Sequence, residues 1–387
     1  MRCWVIDKKD VNNSNINSKP SDILKLREDI ILPEIDENEC LVKIKSAGLN
    51  FNSVWSSKLY PADPFSLMNG HVRRNKNDAK HVQNYFIPGS DACGEIVKIK
   101  NSENFKEGDE VIIHCAVIAD EDLSTKDPML SKSQSIWGYE TNFGSFAEYS
   151  IVKNSQLISK PKNLNLFAAG SSLLTLGTAY RMIVSENGGQ LKKGETCLIW
   201  GASGGLGVFA IQLVKYLGGV PICIVSNKEK LQFCKNLGAD KIICLSELEN
   251  KNFLNTENQF NIKLWLEFSR KIKDLTGEDK VDMVFEHIGK ETIALSLYLL
   301  RRGGRVVTCA ATSGFIANID LRYVWMEMKK LIGSHFCNPR EAMESVTLLE
   351  KGYIKNSPSL IMDFNEIPKG LNLIDKRQAI GKIAIKF

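Results

Sequence analysis

The chain has 387 residues, 43% of them hydrophobic and 25% charged, with 50 Lys and Arg against 45 Asp and Glu for a formal net charge of +5. Those proportions belong to a folded globular protein and exclude a collagen-like, disordered or membrane-embedded chain. No apolar run is long enough to span a bilayer, and the modest basic excess forms no Arg/Lys tract interleaved with aromatics, so neither membrane nor nucleic acid is an expected partner.

A chain this long exceeds one compact core and predicts two domains, with chemistry expected in a cleft between them. The opening MRCWVIDKKD carries charge where a secretory signal needs an apolar core, which makes the cytoplasm the expected compartment. The ten cysteines are scattered, without C-x-x-C or other ligand-like spacing, so free thiols and no metal are expected.

The polar segment NNSNINSKPSD, beginning at Asn12, reads as an exposed loop. The runs CLVKIKSAG, GEIVKIK, DEVIIHCAV and AEYSIVK then read as strands of a mostly β domain. A long insertion from Leu59 to Phe86, rich in charge and amide, reads as a variable surface loop; a frame for a substrate tunnel is the alternative that its neighbours raise. Within WGYETNFGSF, residues 137–146, Glu140 follows Tyr139 directly, and an isolated Glu there reads as a surface-turn residue.

From Thr178 onward ten-residue apolar strands are expected to alternate with helical patterns, as a parallel sheet with crossover helices demands. The candidates are TCLIWGAS, VPICIVS, KIICLS, VDMVFEHI, GRVVTCA and KLIGSHF. Between the third and fourth, Leu264, Phe268, Ile272 and Leu275 repeat at helical spacing and predict a helix with one core-facing side. The fold class is therefore α/β: residues 1–177 and 337–387 form a mostly β catalytic domain, and residues 178–336 form a doubly wound Rossmann domain.

After the strand CLIW comes GASGGLG, in which Gly201, Gly204 and Gly207 fit G-x-x-G-x-x-G and Ala202, Gly204 and Gly207 fit A-x-G-x-x-G. Between a strand and a helix, this run (Gly201, Ala202, Ser203, Gly204, Gly205, Leu206, Gly207) lets the backbone approach a pyrophosphate, whose charge meets helix N-terminal amides. At the end of the second strand, where NAD-specific folds place an acid, the chain reads CIVSNKEK. Ser226, Lys228 and Lys230 there suit a 2′-phosphate, which makes NADPH the expected cofactor; a solvated helix start is the plainer reading of the lysines. His287 ends a parallel strand, where ligands usually bind, and packing near the nicotinamide is an equal alternative.

The β domain, the nucleotide domain entered after TLGTAYRM and the C-terminal return resemble the medium-chain dehydrogenase/reductase superfamily. The Cys/His set and four-cysteine lobe of its zinc-dependent members are missing from this sequence. Four more specific blocks, GLNFNSVW, IWGYETNFGSFAE, FEHIGKET and RYVWMEMKKLIGSHFCN, resemble the crotonyl-CoA carboxylase/reductase family. That resemblance implies a GroES-like catalytic domain and NADPH-dependent reduction of an enoyl thioester with addition of carbon dioxide to the resulting enolate. It places the carbon dioxide pocket on Asn50, Tyr139, Glu140 and His335, with Asn52 in support, and a contact to the CoA nucleotide on Arg322. Thr178, Ala311 and Ser313 become expected cofactor-edge contacts. Ile288 stands where the family commonly has Pro, a departure expected to alter one loop near the cofactor.

Physically, a proton and carbon dioxide compete for the enolate's α-carbon, so the site must exclude proton donors and hold a small linear molecule by its weak acceptor oxygens. The Asn50 amide and the His335 ring can donate, the Tyr139 backbone amide can assist, and Glu140 can orient the imidazole or a water. Each has a plainer alternative: a turn residue for Asn50, a core histidine for His335. Two other readings stay open: a non-carboxylating enoyl-thioester or quinone reductase, and a non-enzymatic NADPH-binding protein. The basic insertion from His71 to Lys80, with Arg322, favours an anionic carrier, either CoA or acyl carrier protein. Relatives suggest a homodimer or homotetramer.

Overall fold

The computed structural model describes every residue except 14–16, 250–252 and 254–259. Two compact units divide the chain, one comprising Met1–Leu174 with Cys337–Phe387 and the other Thr175–Phe336. The crossing falls at Thr175 rather than Thr178, inside the helix Leu173–Ile183, whose continuous apolar run hides a boundary from the sequence.

The first unit contains β1 (Cys3–Asp7), β2 (Lys25–Arg27), β3 (Glu39–Leu49), β4 (Tyr85–Phe86), β5 (Ala92–Ile99), β6 (Glu110–Ile113), β7 (Ala116–Val117), β8 (Ser135–Ile136), β9 (Tyr149–Lys153) and β10 (Leu157–Ser159). Part of the loop expected after Asn12, residues 14–16, lies outside the described residues; it is flanked by a 3-10 turn, Lys8–Asn13, and the short helix Pro20–Ile23. With β17 (Leu360–Asp363) and β18 (Ile383–Lys386) from the end of the chain, the main sheet runs β10-β6-β5-β3-β18-β17, with β9 also on β3, which places β3 at its centre. That position explains the burial of Cys40, Val42, Ile44, Ala47 and Leu49 along one strand.

The insertion differs from the expected surface loop. It folds into the helix Pro64–Arg74, the 3-10 segment Lys76–His81 and β4, and it buries Phe65, Met68, His71, Asp78 and His81. Its helix starts with Asp63 accepting hydrogen bonds from the Phe65 and Ser66 amides, a cap followed by Pro at the first position.

In the second unit β11 (Thr196–Ile199), β12 (Val220–Val225), β13 (Lys241–Cys244), β14 (Val281–Glu286), β15 (Leu300–Thr308) and β16 (Lys330–Gly333) form one sheet in the order β13-β12-β11-β14-β15-β16. Every pairing in it is parallel. This is the doubly wound order in which ligands meet the carboxyl ends of the strands. The strands are shorter than expected, 4 to 9 residues, because the chain leaves the sheet soon after each carboxyl end and turns into loops. The helix Ile262–Thr276 buries Leu264, Trp265, Phe268 and Ile272, starts at the Asn261 cap and stops at Gly277 with φ +85°. Finally β17 and β18 return to the sheet of the first unit, β18 pairing with β3.

Candidate active site

Asn50 follows β3 directly and is buried at the N-cap position of the helix Phe51–Lys58, yet its side chain caps nothing. Its Oδ1 accepts from Lys382 Nζ at 2.6 Å, while Nδ2 donates to Asp91 Oδ2 at 3.2 Å and to the Gly48 carbonyl at 3.3 Å. Lys382 Nζ also lies 3.3 Å from Asp91 Oδ2, and the Leu174 amide donates to Asp91 Oδ1 at 3.3 Å. Burial pushes the Asp91 carboxyl up and the Lys382 ammonium down, each opposed by the other's charge. The amide hydrogens thus point at the protein itself, and the side-chain partners of Asn50, Lys382 just before β18 and Asp91 just before β5, were not found by sequence reasoning. Asn52, half-buried two residues further along, donates to Ser90 Oγ at 2.8 Å and accepts from the Ser53 amide at 2.9 Å.

Glu140 closes its own turn. Its Oε2 accepts from the Ile136 amide at 2.9 Å, and the second carboxylate oxygen has no hydrogen bond among the described residues. The amides of Tyr139, Glu140 and Thr141 all converge on the Ile136 carbonyl at 3.2, 2.7 and 3.1 Å. The Tyr139 backbone amide expected to face carbon dioxide is therefore directed into the turn, and its phenol is half-buried. Burial, with the Glu140 charge beside it, pushes that phenol up to about 12, so it stays protonated at neutral pH. Trp137, buried beneath, fixes the turn by donating from Nε1 to the Phe143 carbonyl at 2.8 Å.

In the second unit the glycine turn lies between β11 and the helix Gly205–Tyr216. Gly201 has φ +57°, and a Cβ there would press on the His287 ring at 2.8 Å; a Cβ on Gly207 would collide with the Ala202 carbonyl. Gly204 is the N-cap and offers no side chain, so the first-turn amides from Gly205 to Gly207 have no capping group. Ala202 is fully buried and Ser203 nearly so. The cradle fits a dinucleotide pyrophosphate, which would lie on those amides.

His287 Nε2 sits 2.9 Å from the Trp200 carbonyl, which defines it as a brace under the phosphate turn. The loop after it is organised by Glu286, a buried acid absent from the expected site. Its Oε1 accepts from the Ile288 amide at 2.7 Å, the Gly289 amide at 3.2 Å and Thr292 Oγ1 at 3.0 Å, and its Oε2 accepts from Ser296 Oγ at 2.6 Å. Burial pushes the Glu286 carboxyl up against those four donors. Ser313 ties the neighbouring loop by donating from Oγ to the Ile288 carbonyl at 2.8 Å, and Ala311 packs against Gly289.

Ser226 and Lys228 are exposed beyond β12, Lys230 is half-buried, and Asn227 caps the next helix by accepting from the Lys230 amide at 3.0 Å. Thr178 is buried in its helix. His335 lies exposed just beyond β16 in the second unit, whereas Asn50, Tyr139 and Glu140 belong to the first. Arg322 is exposed but held by Asp320, with Nη2 to Oδ2 at 2.7 Å. The insertion is less basic than it reads, because Lys80 pairs with Asp36 and Glu39 and His71 is buried beside Asp78.

Two family models match: the alcohol dehydrogenase GroES-like domain over residues 36–162 and the zinc-binding dehydrogenase over residues 205–351. Together with the parallel sheet and the uncapped glycine turn, they define an oxidoreductase of the medium-chain dehydrogenase/reductase class. The crotonyl-CoA reductase of Streptomyces avermitilis is 39% identical over 360 residues, covering 92% of this chain and 81% of that one. The crotonyl-CoA carboxylase/reductase of Cereibacter sphaeroides is 39% identical over 344 residues, 87% of this chain and 77% of that one. A solved 2-octenoyl-CoA carboxylase reductase in complex with NADP and 2-octenoyl-CoA superposes with a TM-score of 0.95 at 35% identity, over 100% of this chain and 87% of that one. The chain belongs to the crotonyl-CoA carboxylase/reductase family. Despite the name of the second family model, cysteine-based zinc binding does not fit: all ten cysteines are free, nine of them buried, and the one potential metal-holding group among the described residues contains none of them.

Proposed function

We propose that this protein catalyses NADPH-dependent reductive carboxylation of an enoyl-CoA, giving an alkylmalonyl-CoA. The observation that carries the reading is the overlay of the whole chain on a carboxylase reductase holding NADP and an acyl-CoA, at a TM-score of 0.95. When bound, NADPH supplies hydride to the β-carbon of the substrate. The chain's own residues then decide what meets the α-carbon. Asn50 exchanges its longer bond, to the Gly48 carbonyl at 3.3 Å, for a carbon dioxide oxygen, while Lys382 and Asp91 keep the amide plane in place. Glu140 presents its second oxygen to orient a water, the His335 imidazole donates directly or through a water, and Tyr139 excludes solvent. Ser226, Lys228 and Lys230 receive the 2′-phosphate, and Thr178, Ala311 and Ser313 edge the cofactor.

The test is NADPH oxidation with crotonyl-CoA, with and without bicarbonate, followed by product mass. Ethylmalonyl-CoA is expected; a product that never gains a carboxyl group would leave a plain enoyl-thioester reductase. Nucleotide binding without turnover of any enoyl thioester would return the non-enzymatic reading.

No helix among the described residues is long and apolar enough to cross a membrane. For the assembly we propose a homodimer built on β16. That strand is an edge of its sheet, and Trp325, Met326, Met328 and Leu331 beside and on it are exposed by 69%, 53%, 60% and 47%. An apolar edge of this kind is covered when a two-fold pairs it with its own copy. Light scattering is expected to give a dimer or a multiple of it for the wild type and a monomer for Leu331→Lys; a monomeric wild type overturns the assignment.

A further inference from the structure

The insertion buries three groups that reductive carboxylation does not use. His71, Asp78 and His81 are 0%, 5% and 6% exposed, and one potential ligand atom from each lies within 4.8 Å of the others. They are spaced H-x6-D-x2-H, with His71 in the last turn of the helix Pro64–Arg74 and the other two on the 3-10 segment that follows. His71 Nε2 is 2.8 Å from Asp78 Oδ2, and the two imidazoles meet edge to face with centroids 5.7 Å apart.

Two features of this cluster suit it to hold an ion. His81 Nδ1 is buried with no hydrogen-bond partner among the described residues, an arrangement that costs about 1–3 kcal/mol when nothing fills it. His71 is steadied from behind, its Nδ1 lying 2.9 Å from Ser135 Oγ, a hydroxyl that can accept the Nδ1 proton when Nε2 ligates an ion, the kind of outer support that fixes a ligating imidazole. We propose that His71, Asp78 and His81 form a structural site for a divalent first-row transition metal, with Zn²⁺ the best match.

Two imidazoles and one carboxylate suit Zn²⁺ and Co²⁺ far better than Ca²⁺ or Mg²⁺, which require mostly oxygen. Tetrahedral ligands at about 2.0–2.2 Å from zinc sit roughly 3.4 Å from one another, so small side-chain rotations inward close the set, with water as the fourth ligand. Lys153 Nζ, 3.4 Å from Asp78 Oδ2, now neutralises the carboxylate. Its side chain is 20% exposed, so a dication can displace it towards solvent. The bound ion would pin the insertion to Ser135, one residue before the Ile136 amide that holds Glu140.

The test uses the untagged full chain, stripped with chelator and reloaded with Zn²⁺ or Co²⁺ alone. About one equivalent of Zn²⁺ per chain by elemental analysis, a melting temperature raised by several degrees, and visible Co²⁺ absorption of the intensity typical of tetrahedral sites are expected. His81→Gln and Asp78→Asn are expected to weaken binding at least about tenfold. Substoichiometric metal and no tetrahedral Co²⁺ spectrum in the wild type overturn the site even if the variants fail to fold. Folded variants that bind as the wild type does would place any ion elsewhere and overturn it equally.

Discussion

Lys382 and Asp91 show how a single buried charge pair can set the direction of a neutral amide. Removing the ammonium alone leaves Asp91 buried without its cation and Asn50 Oδ1 without its 2.6 Å donor. Lys382→Met is therefore expected to cost about 3–5 kcal/mol in urea unfolding, and Asp91→Asn a comparable amount. The double variant is expected to cost clearly less than the sum, since neither charge is then stranded; an additive result would deny the coupling. His114 supplies a pH-dependent case in the same unit. It is buried, and burial pushes its imidazole down to about 4 although its hydrogen bonds to the Cys337 and Ala116 backbone oppose the shift. The unfolded chain holds more protons than the folded one between about pH 6.5 and 4, so stability is full above that window and falls through it by about 3 kcal/mol on acidification. In His114→Gln that contribution to the slope should vanish; an unchanged acid limb in the difference between wild type and variant would refute it.

At the scale of elements, what could be read from the sequence follows from how many faces each segment buries. In the second unit β11, β12 and β14 were legible because both faces are covered, so each is an apolar run bounded by turn residues, whereas β16, exposed at the edge of the sheet, was legible from its short apolar run alone. The glycine turn was legible because strand, glycines and helix are contiguous. The insertion was not, because its buried His71, Asp78 and His81 are polar residues with no apolar period to announce burial. Nor was the Asn50 cluster, whose Lys382 lies 332 residues away along the chain. Glu286 read as the end of a strand, while its four donors come from the loop and helix beyond it. Ile288 matters in the same loop: its amide is one of those donors, and a Pro there would have none. The glycine turn also gives a direct prediction. Gly207→Ala drives a methyl into the Ala202 carbonyl, and the helix must move away from the turn. NADPH at about a hundred times its dissociation constant should stabilise the wild type by about 2.7 kcal/mol in a thermal melt and the variant far less. An equal shift in both would show that the nucleotide does not use this turn.

For the whole molecule, the proposed reaction assigns the fate of the enolate to Asn50, Tyr139, Glu140 and His335. None of the four is proposed to deliver hydride, so their loss should act on the partition between carbon dioxide and proton more than on reduction. Glu140 holds its turn through a single bond to the Ile136 amide, and the convergent amides on the Ile136 carbonyl keep that turn when the carboxylate is removed. Glu140→Ala and His335→Ala are therefore expected to lower the ratio of ethylmalonyl-CoA to butyryl-CoA at least about tenfold, with NADPH oxidation reduced much less. Product ratios at saturating bicarbonate, measured beside the rate of NADPH consumption, separate the two effects. A parallel fall in both rates at an unchanged ratio would mean that these side chains support folding or general substrate binding, and the assignment of a carbon dioxide pocket to them would fail.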